Sequence, residues 1–272
     1  MDEDRTGIAS RALTVIRRVP ATLIMVALIL VTGVASGGLW SSFEESALFE
    51  TVAYGLPSLV EGRWWTPVTG TFFVSQPWVY AFTIAGFWGM AYLEVRRGSR
   101  VALAYYWIGQ LFAVLGSALV LFAASQVPWA WAQTQAQALD VGASGGTMAC
   151  IAAAVGLFRP PWRVRGWLVL LGFVLISMLF WGTLAELEHL LAVLLILFAD
   201  RTLRVRRTTV REQRLIALMG MLVLGATGII TLIVPTDGPF GPTVPASGGF
   251  FSVAIQSVVI LFIANGLRRG RR

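Results

Sequence analysis

Long apolar runs separated by short polar stretches dominate the chain from residue 20 onward. A helix that spans a membrane needs about 20 mostly apolar residues, and eight segments approach that length. The pattern therefore predicts an all-α polytopic membrane protein rather than a soluble domain with one core. The predicted helices lie near residues 20–40, 75–94, 101–124, 142–158, 166–183, 187–200, 215–235 and 249–267.

Basic residues cluster before the first predicted helix and then after every second one. All 21 are arginine, and the intervening connections are acidic, with Arg63 as their one arginine. Positively charged connections stay on the cytoplasmic side of a membrane. We therefore predict an integral plasma-membrane protein, of a bacterial inner membrane, with both termini cytoplasmic. Anionic lipids at the cytoplasmic face are the expected partners of the arginine clusters.

The composition agrees with a lipid environment. Hydrophobic residues make up 57% of the chain and charged residues 13%, whereas soluble domains carry about a quarter charged residues. A net charge of +7 in a soluble protein would suggest nucleic acid, but here each cluster lies between apolar runs, so we expect no nucleic-acid partner. The single cysteine, Cys150, excludes an internal disulfide and a cysteine-built metal site. No cofactor or metal fingerprint is found in the sequence.

One connection predicted to face the outer side is unusually long, and one apolar run contains a notable polar residue. Residues 41–65 are long for a simple connection, and their apolar positions fall near helical spacing. We expect an amphipathic helix lying flat at the membrane interface. Within the apolar runs, Gln110 is predicted to form a polar bridge between helices.

Ser144 is the first candidate for chemistry, because it stands in a run of small residues at the predicted outer entrance of the fourth helix. Close approach of a substrate is easy there, and the free amides of a first helical turn stabilise an oxyanion. The alternative interpretation is structural. Gly142 and Gly146 have the G-x-x-x-G spacing of packed membrane helices, and Ser144 fits an N-cap.

His189, the one histidine, is the second candidate. It begins the sixth predicted helix on the same side as Ser144, and a histidine activates a serine by taking its proton. The alternative is a neutral histidine bonded to a neighbouring helix. Glu186, one turn earlier, is a candidate to orient the imidazole. The alternative for Glu186 and Glu188 is a solvated acidic loop at the helix start.

Two further blocks of sequence accompany this pair. One is Gly62-Arg-Trp-Trp-Thr-Pro-Val-Thr-Gly-Thr-Phe-Phe, and the other is Leu93-Glu-Val-Arg-Arg-Gly-Ser. Together with Gly142-Ala-Ser-Gly and the later histidine, they resemble the W-R-x-x-T-x-x-F, L-E-x-x-x-G-S and G-x-S-G elements of the rhomboid family of intramembrane serine proteases. The matching positions outside the serine and histidine are Trp65, Thr69, Phe72, Glu94 and Gly98.

The resemblance covers about residues 20–200 and implies a six-helix rhomboid-like core with two further helices. It divides the chain into a cytoplasmic segment 1–19, the core 20–200, a basic linker 201–214, a two-helix extension 215–267 and a polybasic end 268–272. It also implies a serine endopeptidase that cleaves transmembrane protein substrates near the outer leaflet. Its catalytic dyad would be Ser144 and His189, with backbone groups of Gly142, Ser144 and Gly145 at the oxyanion.

The chain departs from the family at several positions. The His-x-x-x-Asn pair of the second helix is absent, since one register places Trp78 and Phe82 there and the other Val79 and Thr83. Met148 replaces the aromatic residue four places after the serine. Ala192 and Ile196 replace glycines after the histidine, which predicts altered packing, or separation, of the fourth and sixth helices.

These departures keep two alternatives open. The first is a rhomboid-like protein without protease activity that binds transmembrane helices or lipids. The second is the membrane module of a larger lipid-modifying enzyme, an idea that the abrupt basic end and the two additional helices suggest.

Overall fold

The computed structural model describes residues 18–199 and, beyond them, residues 210, 214–215, 217–223, 225, 238–239, 255 and 258–266. Within 18–199 every named element is a helix, and the one β-type pairing is an isolated bridge between Tyr54 and Asp140. The helices are α1 (Pro20–Ser36), α2 (Phe49–Val52), α3 (Leu56–Val60), α4 (Thr66–Thr69), α5 (Val79–Gly86), α6 (Trp88–Arg97), α7 (Ser99–Ala124), α8 (Ala130–Gln135), α9 (Ser144–Gly156), α10 (Trp162–Phe180) and α11 (Leu184–Ala199), with 3-10 turns at Phe43–Glu45 and Gly70–Phe72.

Five of the predicted long helices correspond to α1, α7, α9, α10 and α11. Two of them, α7 with 26 residues and α10 with 19, are long and apolar enough to cross a membrane, with mean hydropathies of 1.9 and 1.8. Helices α1 and α9 are apolar but shorter. The apolar periodicity therefore predicted the order of the long helices correctly, and length and composition alone identify two candidate membrane spans among the described residues.

The second predicted helix, 75–94, is not continuous. It is divided into α5 and α6 at Phe87, whose ring is buried and stacks on Tyr106 with centroids 5.7 Å apart. Just beyond the break, Gly89 lies so close to α9 that a Cβ atom would be 2.6 Å from the backbone nitrogen of Ile151. Packing of Phe87 and Gly89 against neighbouring helices accompanies the break, and the apolar pattern does not encode these contacts.

Residues 41–65 do not form the predicted single amphipathic helix. The segment contains a 3-10 turn and the short helices α2 and α3. Between them, the N–H of Tyr54 donates to the carbonyl of Asp140 over 2.9 Å, and the N–H of Asp140 donates back over 2.8 Å. Because these backbone groups pair with a distant loop, the helix cannot continue through them. The segment is thereby fastened to the loop that precedes α9.

Helix α9 is the centre of the bundle. It packs against α5, α6, α7, α10 and α11, and ten of its thirteen residues are buried. Close approach depends on small residues: a Cβ atom on Gly145 would be 2.9 Å from the Cβ of Ala113, and one on Gly146 would be 2.7 Å from the ring of Tyr106. The packing interpretation is thus correct for Gly146, while Gly142 lies before the helix.

The Leu93-to-Ser99 block forms a corner that joins three helices. The Glu94 carboxylate accepts hydrogen bonds from the N–H of Ala21 at 2.7 Å, from the N–H and hydroxyl of Thr22 at 2.9 and 2.7 Å, and from the Ser99 hydroxyl at 2.7 Å. It therefore caps the start of α1 from a distant part of the chain. Gly98 connects α6 to α7 with φ of 87°, a left-handed conformation that favours glycine.

The predicted C-terminal helices are described only in part. Residues 215, 217–223, 225, 255 and 258–266 are helical, within the segments predicted as 215–235 and 249–267. Residues 1–17, the remainder of those two segments, the linker apart from residues 210 and 214, and the end 268–272 lie outside the described residues.

Candidate functional site

Ser144 is the first residue of α9, as the sequence predicted. It is half-buried, and its Oγ has no hydrogen-bond partner among the described residues. Gly142, two residues earlier, has φ of 153°, and a Cβ atom there would be 3.9 Å from the Ser144 Oγ. The loop therefore leaves the serine oxygen without a bonded neighbour at the start of a buried helix.

Two side chains hold the loop that carries Ser144. Gln110 of α7 donates from Nε2 to the carbonyl of Gly142 over 2.9 Å and accepts from the N–H of Gly146 at Oε1 over 2.8 Å. The Tyr54 hydroxyl also donates to the Gly142 carbonyl, over 3.0 Å. The predicted bridging role of Gln110 is confirmed. The role of Tyr54 was missed, because the sequence carries no local signal of the contact.

Backbone amides at the start of α9 divide into bonded and free groups. The N–H of Gly142 donates to the carbonyl of Gly70 over 3.0 Å, so it cannot serve an oxyanion and the expectation for Gly142 is corrected. The N–H of Gly146 is bonded to Gln110. Among the described residues, the N–H groups of Ser144 and Gly145 have no partner. Both point out of the first helical turn, where a helix binds negative charge.

His189 is in the second turn of α11, which packs directly against α9. The residue is half-buried, and both ring nitrogens are buried with no hydrogen-bond partner in the described part of the chain. No hydrogen bond joins His189 to the Ser144 Oγ within that part. The alternative of a histidine bonded to a neighbouring helix is likewise not observed there. A buried, unpartnered imidazole costs free energy unless another group binds it.

Glu186 and Glu188 have separate environments. The Thr183 hydroxyl donates to the Glu186 carboxylate in the turn that starts α11, an arrangement related to a capping box. Glu186 interacts electrostatically with His189, although no hydrogen bond joins them among the described residues. Glu188 is fully buried, with Oε1 accepting a long 3.5 Å hydrogen bond from Ser117 and Oε2 unpartnered. The solvated-loop alternative is therefore wrong for Glu188.

Asp140 precedes the serine loop and joins this acidic group. Burial raises the pKa of its carboxyl to about 7, the negative charges of Glu186 and Glu44 add to the increase, and a hydrogen bond from the Val141 N–H opposes it. Burial also raises the pKa of Tyr54 well above 10, and the charges of Glu188 and Asp140 act in the same direction. Burial thus favours the protonated, uncharged forms of Asp140 and Tyr54 beside the start of α9.

The segment from Gly62 to Phe73 lies beside the candidate site and makes structural contacts there. Trp65 is half-exposed, and its indole N–H donates to the carbonyl of Thr51 over 3.2 Å. The Thr69 hydroxyl donates back to the Trp65 carbonyl over 3.3 Å, and Phe72 meets Trp107 edge to face at 6.0 Å. These contacts hold the segment together, and its Gly70 carbonyl accepts from the N–H of Gly142 in the serine loop.

The two registers considered for the absent His-x-x-x-Asn pair differ in their exposure. Trp78 and Phe82 are about 70% exposed and pack on each other, so that register faces away from the bundle. Val79 and Thr83 are half-buried, in the register that faces inward. One turn beyond Thr83, a Cβ atom on Gly86 would be 3.4 Å from the Thr147 hydroxyl of α9.

The other departures from the family pattern, at Met148, Ala192 and Ile196, lie where α9 and α11 pack together. Ala192 and Ile196 are buried in the same core as Ala149 and Ala153 of α9. Helices α9 and α11 contact each other directly, so the expected separation is not observed. Met148 is half-buried and packs against this core.

The comparisons with known proteins leave the family open: no protein-family model, no curated protein and no solved structure matches this chain.

Proposed function

We propose that the chain is a multi-pass membrane protein whose arginine-rich connections face the cytoplasm. Support comes from the two helices of spanning length and from the alternation of basic and acidic connections along the sequence. In this orientation the start of α9, with Ser144, lies toward the outer leaflet. The ends of α6 and α9, with Arg96, Arg97 and Arg159, lie toward the cytoplasm.

Within that membrane, we propose that the protein is a rhomboid-type intramembrane serine endopeptidase. One observation carries the proposal: among the described residues, an unbonded serine hydroxyl and two free amides begin α9, and the neighbouring α11 holds a histidine whose buried ring nitrogens have no partner there. Acyl transfer needs a nucleophile, a base and an oxyanion donor, and Ser144, His189 and the amides of Ser144 and Gly145 supply them.

In the proposed reaction, the Ser144 Oγ attacks the scissile carbonyl carbon and loses its proton to a ring nitrogen of His189. The carbonyl oxygen becomes an oxyanion that accepts hydrogen bonds from the N–H groups of Ser144 and Gly145. Collapse of this intermediate breaks the peptide C–N bond, and His189 gives its proton to the leaving amine. Water, deprotonated by His189, then hydrolyses the acyl-enzyme and frees the serine.

The proposed substrate is a transmembrane protein whose helix unwinds near the outer leaflet. A peptide bond must be extended before a serine can attack it, because helical carbonyls are occupied by hydrogen bonds and shielded. Residues 41–65, fastened to the serine loop through Tyr54 and Asp140, form the side of the site that such a segment would pass.

Cleavage of a single-pass reporter by the full-length protein tests the reaction. Ser144→Ala and His189→Ala should each abolish cleavage and labelling by a fluorophosphonate probe. Ser125→Ala is the matched control, because Ser125 caps the exposed end of α7 and bonds only locally. Cleavage that persists in folded Ser144→Ala would refute the mechanism.

A second candidate is a rhomboid-like protein that binds transmembrane helices or lipids without cleaving them. It is favoured by the absence of a hydrogen bond between Ser144 and His189 in the described structure, together with the missing second-helix pair. Failure of the folded wild-type protein to react with fluorophosphonate, combined with retained binding of transmembrane helices, would select this function.

A further inference from the structure

An apolar groove opens between α6, α9 and α10, along the face of α9 that carries Met148, Ile151 and Val155. Its volume is about 490 Å³, and its wall is almost wholly apolar, including Trp88, Ile151, Phe158, Trp162 and Val169. Helix α9 has thirteen residues and is therefore about 18 Å long. The groove runs along α9 from Met148, one turn after Ser144, to Val155, and neither Ser144 nor His189 lines it.

Aromatic rings build one side of the groove. Phe158, just after α9, stacks on Trp88 with ring centroids 6.3 Å apart and meets Tyr92 edge to face at 5.5 Å. The loop that follows α9 therefore packs against α6. On the other side, Val169 is 70% exposed and Trp162 is 64% exposed. Large apolar side chains thus flank an open slot, an arrangement that suits a flexible hydrocarbon chain.

One arginine lines the slot, and a second lies over a tyrosine ring that contacts Phe158 in its wall. The Arg165 guanidinium lies over the Trp162 ring at 5.1 Å and lines the groove, and Arg96 lies over Tyr92 at 5.4 Å. The one ion pair among the described residues joins Arg63 and Glu61, elsewhere in the molecule. In that part of the chain, no carboxylate neutralises Arg96 or Arg165. Their aromatic partners hold the guanidinium groups beside the groove while their N–H groups stay available.

We propose that this groove is a binding site for an anionic phospholipid, with one acyl chain in the slot and the phosphate at Arg165. Arginine favours phosphate because its N–H groups match two phosphate oxygens. The charge complementarity selects an anionic lipid over a zwitterionic one. The inference rests on the proposed membrane location, but it does not depend on proteolysis.

Lipid retention by the purified full-length protein in detergent, measured by native mass spectrometry, tests the site. Wild type should retain added phosphatidylglycerol in preference to phosphatidylcholine. Arg165→Gln should reduce that preference by about fivefold, the effect of one basic residue at an anionic lipid surface. Val169→Trp, which covers the slot from its exposed side, should reduce retention of both lipids. Arg97→Gln is the control, because Arg97 is exposed at the end of α6 and does not line the groove.

Three outcomes would overturn the proposal: equal retention of the two lipids by wild type, an equal loss in Arg97→Gln, or no change in either groove variant. Displacement of phosphatidylglycerol by excess inorganic phosphate would also overturn it, since the head group would then bind without the slot. Repeating the measurement in Ser144→Ala separates the two proposals. Ser144→Ala should retain phosphatidylglycerol as wild type does. Wild-type protein that retains the lipid but cleaves no reporter refutes only the protease, and wild-type protein that cleaves the reporter without retaining the lipid refutes only the groove.

Discussion

The side-chain amide of Gln110 donates to the carbonyl of Gly142 over 2.9 Å, and its oxygen accepts from the N–H of Gly146 over 2.8 Å. A single residue of α7 thus holds both sides of Ser144. The two bonds orient the carbonyl before the serine and the amide after it. Between these bonds, the N–H groups of Ser144 and Gly145 have no partner in the described part of the chain.

Gln110→Ala should therefore loosen the serine loop. It leaves the buried N–H of Gly146 without a partner and removes one of two donors from the Gly142 carbonyl, at a cost of about 1–3 kcal/mol. We expect a lower unfolding temperature in detergent and slower labelling of Ser144 by fluorophosphonate.

The matched control is Gln126→Ala, because Gln126 is exposed at the end of α7 and its amide bonds only to the carbonyl of Phe122. If both glutamine variants lowered stability and labelling equally, the specific role of Gln110 would be wrong. A loss of stability with full labelling would show that Gln110 supports the bundle but not the serine.

Asp140 should make the stability of the protein depend on pH. Its pKa in the folded protein is raised to about 7, against an ordinary value of 3.8, so the folded state holds the proton more tightly than the unfolded state. The resulting stabilisation is complete below about pH 4 and is lost as the pH rises through 7. Since Asp140 is partly exposed, we expect a loss of about 1–3 kcal/mol over this window.

Asp140→Asn keeps the oxygen that accepts from the Val141 N–H and removes the charge. Its unfolding temperature should fall less than that of wild type between pH 4 and pH 8. Glu45→Gln, an exposed change in the neighbouring 3-10 turn, should follow the wild-type profile. Parallel profiles for wild type and Asp140→Asn would contradict the assignment.

The sequence predicted those features that repeat along the chain or act locally. Apolar periodicity predicted α1, α7, α9, α10 and α11. A long helix that buries one continuous face carries apolar residues at helical spacing, and this pattern is visible in the sequence. A serine within small residues at the edge of an apolar run predicted that Ser144 begins α9. The apolar periodicity and the small residues around the serine are each contained in a segment about the length of one helix, about 20 residues.

Features that depend on contacts between distant residues were not predictable. The break at Phe87 accompanies the stacking on Tyr106, nineteen residues away. The burial of Glu188 depends on which face of α11 turns toward Ser117 of α7. A single sequence does not record such pairings, and an acidic residue at a helix start is usually solvated. The same limit applies to Tyr54, whose bond to Gly142 spans 88 residues.

Glu94 should contribute to stability far more than an exposed glutamate. Its carboxylate accepts four hydrogen bonds, from Ala21, Thr22 and Ser99. Glu94→Gln retains one oxygen and places a donor NH₂ group against backbone N–H groups, so several bonds are lost together. We expect a loss of about 2–4 kcal/mol. Glu50→Gln, exposed in α2, should change the unfolding temperature little, and equal effects of the two variants would refute the capping role.

Packing of α7 against α9 can be tested by exchanging one methyl group between the helices. A Cβ atom on Gly109 would lie 2.2 Å from the Cβ of Ala149, a distance that neither helix can accept without moving. Gly109→Ala should therefore destabilise the protein by about 1–3 kcal/mol. Ala149→Gly alone should also destabilise it, because it opens a small cavity and adds glycine to a helix interior.

In the double variant Gly109→Ala/Ala149→Gly, the new methyl group occupies the space that the old one leaves. The next nearest atoms to it, the Gly145 carbonyl oxygen and the Ala149 Cα, are at 3.5 and 3.7 Å, which are ordinary contacts. The double variant should therefore be more stable than the sum of the single losses predicts, with a coupling of about 1–2 kcal/mol. Simple additivity of the unfolding free energies would show that Gly109 and Ala149 do not meet, and that α7 crosses α9 at another position.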